Sequence, residues 1–450
     1  MRTERFPRLA ATLLLAALVP APATAQGAGT AEIVVSVDGS VRTIADGVRL
    51  ARPGGTVVVL AGTYREPMVR VEKPLTIEGR GWPTLDGEDE RALLLVTADD
   101  VTIRGIRFAR VGISMTEDRA AVRVSDARRC AIVGNRFHDA FFGVYLARVE
   151  GCRIEGNEFV GRGGRESEST NGNAVHLWSV RDVDIVRNRI AGHRDGIYFE
   201  FVRQGRVAEN VSEENIRYGL HFMYSDSSRY ERNIFRRNGA GVAVMYTNVV
   251  EMTGNHFVDN RGSAAYGLLL KEIADPVLRA NVFARNTVGM MADGTTRLVA
   301  EDNVFADNGW GVRLLANVQE SRLIRNDFRG NSFDLATNGR AGDGAGLAGN
   351  WFEEYRGYDL DRDGRGDVPH RPVRLFSLLV ERWDAVLVLQ RSFFVGLLDG
   401  AERLLPSLTP ERLVDAEPSM RPVAAAAPEA ARDAVRGAPA PGALPRGGMR

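Results

Sequence analysis

A short apolar pattern returns along this chain at a nearly constant interval. A glycine opens an alternating run at Gly143-Val144-Tyr145-Leu146, Gly196-Ile197-Tyr198-Phe199, Gly219-Leu220-His221-Phe222, Gly241-Val242-Ala243-Val244, Gly267-Leu268-Leu269-Leu270, Gly289-Met290-Met291-Ala292 and Gly311-Val312-Arg313-Leu314. Runs this short with period-two alternation predict β-strands. Between them stands an asparagine two residues before an aromatic or aliphatic side chain: Asn135/Phe137, Asn157/Phe159, Asn188/Ile190, Asn233/Phe235, Asn255/Phe257, Asn281/Phe283, Asn303/Phe305, Asn326/Phe328 and Asn350/Phe352. Asn210 keeps the register without the aromatic. The asparagines are spaced by 22, 31, 22, 23, 22, 26, 22, 23 and 24 residues.

Helical repeats need ~33–47 residues for two or three helices. A period near 22 with Gly and Asn corners predicts one coil of a right-handed, single-stranded parallel β-helix. Asparagine tolerates left-handed turns, and stacked side chains can hydrogen-bond from coil to coil. A second asparagine five residues on, at Asn215, Asn238, Asn260, Asn286, Asn308 and Asn331, predicts a second ladder. Residues 43–51 read as a short amphipathic helix with Thr43 as N-cap, covering the open edge of the first coil. Strands are expected at Thr56–Leu60, Leu75–Glu78, Leu93–Val96 and Val101–Ile106. The solenoid with its cap should run over 31–352.

Two steps are long. Gly161–Asn173 and Arg261–Tyr266 are polar insertions that precede strands of one column, so both should border one face. Loops placed by a rigid scaffold often carry function. After Phe352 the pattern ends. Residues 353–372 hold Asp359, Asp361, Asp363, Gly364 and Asp367, at positions 1, 3, 5, 6 and 9 of a calcium loop. A solvated acidic turn is the other reading. Residues 373–416 are expected to form a helical docking segment. Their best apolar stretch, Ala385–Leu398, is too short to span a bilayer. The Ala/Pro/Gly/Arg-rich stretch 421–450 is expected to be disordered.

Composition narrows the function. Lys+Arg and Asp+Glu are both 58 of 450 residues, which argues against bulk phosphate neutralisation and so against nucleic acid. Two cysteines cannot staple a fold of this size. At the N-terminus, Arg2, Arg5 and Arg8, the apolar run Leu9–Val19 and Ala23-Thr24-Ala25 predict a secretory signal over 1–25, cleaved after Ala25. The mature chain is therefore expected in the periplasm.

The chemistry lies on the outward side of the glycine-led strands, where residues two apart share a face. One outward column reads Tyr145, His176, Tyr198, His221, Ala243, Leu269, Met291, Arg313. The next reads Ala147, Trp178, Glu200, Met223, Met245, Lys271, Asp293, Leu315. Imidazole and thioether together suit copper(I), so His176, His221, Met223, Met245 and Met291 are candidate ligands. Glu200 and the loop acids Glu166 and Glu168 are candidate supporting groups. A contact strip for a partner, with Tyr145, Trp178, Tyr198 and Glu200 in it, fits the same residues, and the two readings are compatible.

The remaining candidates are weaker. His193 falls on the second ladder. His138 and His256 are expected at the surface, and His370 at position 12 of the acidic loop. Cys130 and Cys152 should stack one coil apart facing inward. They read as buried thiols; a disulfide, which the extracytoplasmic setting permits and parallel side-chain vectors strain, is the other reading. Asp195, Tyr198, Glu200 and His221, with Arg217 as a carboxylate clamp, form an alternative acid/base set for a polysaccharide lyase, hydrolase or epimerase. No G-x-S-x-G, H-E-x-x-H or P-loop occurs.

With these repeats placed, residues 31–400 resemble the NosD family of periplasmic maturation proteins of nitrous oxide reductase. The segments that carry the likeness are Ala45-Asp46-Gly47 through Gly62-Thr63-Tyr64, Gly219 through Ser225, Gly241 through Tyr246, and Tyr358 through Pro369. The resemblance implies a non-enzymatic component that works with the Nos ABC-type permease and its ATPase, the lipoprotein copper chaperone NosL and the reductase. Together these assemble the reductase's copper–sulfide centre. It implies contact with the membrane only through the permease, with Trp383, Phe393 and Phe394 as docking residues.

Overall fold

The computed structural model describes residues 32–405, apart from 115, 164–167, 263–264, 316, 339–344 and 391, together with 413–424. The signal segment 1–25, Glu166 and the tail 425–450 lie outside the described residues. The chain folds as a parallel β-solenoid of about 13 turns. Every strand pairing is parallel and in register with the equivalent strand one coil on, as in Tyr198↔His221 and Phe283↔Phe305.

Each coil has three straight segments. A glycine-led strand such as Tyr218–Met223 is followed by a second, Ser228–Glu231, and then by the three-residue Ile234–Arg236 that carries the aromatic. The third segments stack into a 13-stranded sheet. The first two merge into a 24-stranded sheet, because Ala240–Thr253 and Tyr266–Arg279 run unbroken through the corner. Helix α1 (Ile44–Leu50) covers the first coil, with Thr43 Oγ1 accepting the Asp46 amide.

The interior follows from what each coil must bury. Inward residues of the glycine-led strands, from Val144 through Val175, Ile197, Leu220, Val242 and Leu268, are all fully buried. The aromatic column stacks Phe257, Phe283, Phe305, Phe328 and Phe352 at 4.7–5.1 Å between ring centroids, each pair within 9° of parallel. That spacing is the strand separation of a sheet. Ile190 and Ser212 interrupt the column.

The asparagine ladder is continuous from Asn135 to Asn350. Each Oδ1 accepts both the amide and the Nδ2 of the preceding rung, as Asn281 does from Asn255 at 2.9 and 3.1 Å. Each Nδ2 also donates to a backbone carbonyl, Met252 in the case of Asn281. The last rung comes from outside the repeat. Asp415, fully buried, accepts the Asn350 amide at 2.9 Å and its Nδ2 at 2.8 Å. The second ladder runs from the His193 amide through Asn215 to Asn331, which donates to Asp334. Both ladders therefore end on carboxylates.

Several expectations need correction. Cys130 and Cys152 are joined in a disulfide between adjacent coils, with Cα atoms 4.5 Å apart. Strand separation alone brings their Cα atoms within bridging range. His256 is buried, and His138 is half-buried; burial pushes the pKa of both rings down. His370 is no loop ligand. Its ring packs tilted on Phe352, 4.4 Å between centroids, at the end of the aromatic column, and its backbone exchanges hydrogen bonds with Asp415. The chain also returns to the rod beyond the helices, so 373–416 is not helical throughout. Residues 421–424 are likewise placed: the Val423 and Ala424 amides donate to Asp327.

Two stability predictions follow from the ladders. Asn281→Ala strips the Asn255 amide and side chain of their acceptor, and should cost ~3 kcal/mol in chemical denaturation. The exposed Asn248→Ala should cost far less. Burial pushes the Asp334 carboxyl up to about 6. The folded protein then binds that proton more tightly than the unfolded chain, so stability falls as pH rises from about 4 to about 6. Asp334→Asn should flatten that part of the pH–stability curve and raise stability at pH 7 by ~1–2 kcal/mol.

Candidate functional site

Strand register places the outward candidates in order. Tyr145, His176, Tyr198, His221, Ala243, Leu269, Met291 and Arg313 are successive Cα partners. Trp178, Glu200, Met223, Met245, Lys271 and Asp293 form the next column. His221 and Met223 share a strand two residues apart, and Met245 pairs directly with Met223 one coil on, ~4.8 Å away. These three share one stretch of the outward face. His176 does not join them: it is two coils back, with Tyr198 between. Met291 is three coils on, beyond Ala243 and Leu269.

His176 is instead part of an aromatic stack. Its ring lies 4.7 Å from Tyr145 and 4.7 Å from Tyr198, and Nδ1 faces Asn173 Nδ2 at 3.0 Å. Burial, with Arg194 nearby, pushes its pKa down to about 4, so it is a neutral stacking group at physiological pH. Burial likewise pushes the Tyr145 hydroxyl up to about 12.

His221 is only 6% exposed, although its strand faces outward. Tyr198 packs its edge against the ring at 5.1 Å, and Tyr218 lies at 4.7 Å. Its Nδ1 faces Arg217 Nη2 at 3.4 Å and Asp195 Oδ2 at 3.9 Å, while Nε2 is buried without a hydrogen-bond partner. Met223 and Met245 are half-buried, and the Tyr198 hydroxyl approaches Met223 Sδ at 4.0 Å. An unpartnered imidazole nitrogen on the same face as two thioethers is a donor set whose chemistry suits copper(I), which accepts two to four soft ligands. Glu200 pairs in register with Met223, on the same face.

Asp195 is fully buried. Arg217 Nη2 donates to its Oδ2 at 3.3 Å, and Arg217 Nη1 lies 3.6 Å from Glu168 Oε1 in the 161–173 insertion. The insertion thus reaches the histidine through one arginine.

A second feature escaped the sequence reading. The residue after each outward pair turns left-handed and is exposed: Phe201, Tyr224 and Tyr246, with φ of +56°, +51° and +56°. Their rings stack at 5.4 and 5.2 Å along the rim of the methionine pair. Ser225 and Thr247 hold the corner beneath: Ser225 Oγ accepts the Val202 amide, and Thr247 Oγ1 accepts the Ser225 amide. The signal was an aromatic following the second outward residue in three successive repeats.

At the far end, the carboxylates of Asp359, Asp361 and Asp363 lie within 4.8 Å of one another. Asp367 Oδ2 accepts the Leu360 amide at 2.6 Å. Helices α2 (Leu375–Arg382) and α3 (Phe393–Leu404) follow. Phe376 and Val380 pack with Phe333, and Arg313 pairs with Glu381 at 2.9 Å. The other side is bare: Trp383, Val388, Phe393, Phe394 and Leu397 are exposed, Val388 and Phe393 by more than 80%. Among the described residues, no helix is long and apolar enough to cross a membrane.

Comparison with known proteins gives four likenesses. A family model described as periplasmic copper-binding protein (NosD) matches residues 161–351. A Pseudomonas aeruginosa protein named probable ABC transporter binding protein NosD is 31% identical over 399 residues, 84% of this chain and 92% of its own. A Stutzerimonas stutzeri protein of the same name is 26% identical over 382 residues, 80% of this chain and 86% of its own. Among solved structures, the A-module of the mannuronan C-5 epimerase AlgE6 of Azotobacter vinelandii aligns with 66% of this chain and 84% of its own. Its TM-score is 0.41 and its identity 14%.

Proposed function

The chain belongs to the NosD family, and we propose that it is a periplasmic docking component of an ABC-type transporter system that handles copper(I) for assembly of the copper–sulfide centre of nitrous oxide reductase. The observation that carries this is the His221, Met223, Met245 set, where a buried imidazole nitrogen without a partner shares the outward face of adjacent strands with two thioethers. Copper(I) is cargo here. It enters across the half-buried methionines and reaches His221 beneath them.

Two surfaces serve partners in this reading. The lipoprotein copper chaperone NosL and the reductase meet the side of the rod, where Tyr145, Trp178, Tyr198 and Glu200 adjoin the methionines and the exposed Phe201, Tyr224 and Tyr246. The permease, with its ATPase, takes the apolar side of α2 and α3, around Trp383, Phe393 and Phe394. The names of both relatives, as ABC transporter binding proteins, support that second assignment. Acid/base work on a glycan fits less well. Asp195 is fully buried and already engaged by Arg217.

Copper(I) titration under reducing conditions, in competition with a chromophoric chelator, tests the first part. One equivalent should bind. His221→Ala and the Met223→Ala/Met245→Ala pair should each weaken it at least ~10-fold, while Met291→Leu should change nothing. Lack of one-to-one binding would reduce the function to docking. For the second part, Phe393→Ser with Leu397→Ser should abolish capture by the detergent-solubilised permease and leave stability within ~0.5 kcal/mol, both side chains being solvent-exposed.

A further inference from the structure

The outward side of the 13-stranded sheet changes character halfway along the rod. One outward column reads Arg189, Val211, Ile234, His256, Val282, Val304, Asp327, and the other Ala191, Glu213, Arg236, Val258, Ala284, Ala306, Arg329. Up to Arg236 these residues are exposed or half-buried. Beyond it Val258, Val282, Ala284, Val304 and Ala306 form a cluster of their own, none more than 4% exposed. An outward strip of valine and alanine that stays dry needs a cover, since an outward face otherwise meets water.

The first part of that cover is in place. Ser419 bridges to Trp351 in the last strand of this sheet, and the chain then doubles back over the outside. The Val423 and Ala424 amides donate to Asp327 Oδ1 at 2.8 and 3.2 Å, one rung short of Val304. Ala424 packs against the cluster itself. The sequence continues Ala425-Ala426-Ala427-Pro428, small and uncharged, as so dry a strip requires. Asp327 and His256 are three rungs apart, ~14 Å at the strand spacing, which about four extended residues span. Two donors beside the strip also lack acceptors: Arg285 Nη1 and Arg329 Nε are buried without a hydrogen-bond partner. Main-chain carbonyls of a peptide crossing there would supply them.

We propose that this strip is the seat of the chain's own C-terminal tail, with residues 425–428 crossing the strands from Asp327 toward His256. The tail is then a strap. Asp415 and His370 close the end of the last coil, and the strap fastens that closing segment to the three coils before it. Helices α2 and α3 are thereby carried on a base that cannot lift from the rod. The proposal is independent of the copper reading.

The sequence has two cysteines, and they are paired with each other, so introduced cysteines report alone. Val282 is two rungs from Asp327, ~10 Å, which puts it level with the third extended residue after Ala424. Oxidised full-length Val282→Cys/Ala427→Cys should therefore form a disulfide within one chain, read from the intact mass of the monomer and a non-reducing gel. Arg189→Cys/Ala427→Cys, four rungs further along the same column, should form none. Ala284→Cys/Ala427→Cys is the second level pair, should Val282→Cys impair folding. Independently, Ala425→Asp/Ala426→Asp/Ala427→Asp should lift the tail and raise the fluorescence of a dye for exposed apolar surface several-fold. A disulfide only between two chains would give the strip to a second copy and overturn the strap. No disulfide in either level pair, or dye binding unchanged by the three aspartates, would overturn it as well.

Discussion

A primary amide closed inside the rod must find an acceptor in the next coil, and this requirement sets the geometry of the whole molecule. Each asparagine of the main ladder gives and receives in fixed directions, so neighbouring coils cannot slide by one residue without stranding buried donors. Once that register is locked, residues about 22 apart in sequence become lateral neighbours. The phenylalanines then have no choice but to stack at the strand separation, and the outward columns line up with equal regularity. His221, Met223 and Met245 meet for this reason and not through any local attraction between them.

A ladder of this kind has two ends, and an unfinished end would expose strand edges and orphan amides. The first coil is closed by a helix whose cap was legible in Thr43 and Asp46. The last coil is closed by Asp415, which imitates the next asparagine with a carboxylate, and by His370, which imitates the next phenylalanine. The C-terminal helices are thus fastened between two points of one plug. Their bare apolar side is displayed from a rigid base.

Repeats made the fold readable. The step between asparagines named the coil, the insertions named the face, and the column rule brought Met223 beside Met245. What escaped was whatever the repeat does not encode. Asp415 lies 65 residues beyond its partner Asn350, outside any periodicity. Cys130 and Cys152 were correctly stacked, but their pairing turned on side-chain direction within a coil, which spacing does not contain. His176 and Met291 shared the right column and the right chemistry, yet a column is a line: membership does not say which rungs lie within reach. His221 was expected on an open face and lies beneath Tyr198 and Tyr218, because the residue preceding each glycine also points outward and supplies cover.

The Asp195–Arg217 pair is the point where stability and function part. A buried ion pair is weak evidence for stability, since apolar residues of the same volume often serve as well. Elsewhere on this rod, arginine and carboxylate meet across coils at the solvent edge, where desolvation is slight. Beside His221, by contrast, the outward face buries the Asp195 carboxylate completely and meets it with a misaligned contact. A sheet so strictly periodic had a cheaper solution at that rung, as the alanine at position 240, Tyr218's partner one coil on, demonstrates. A buried charge pair, tied by one arginine to Glu168 and touching one imidazole, fits the outward site better than the scaffold.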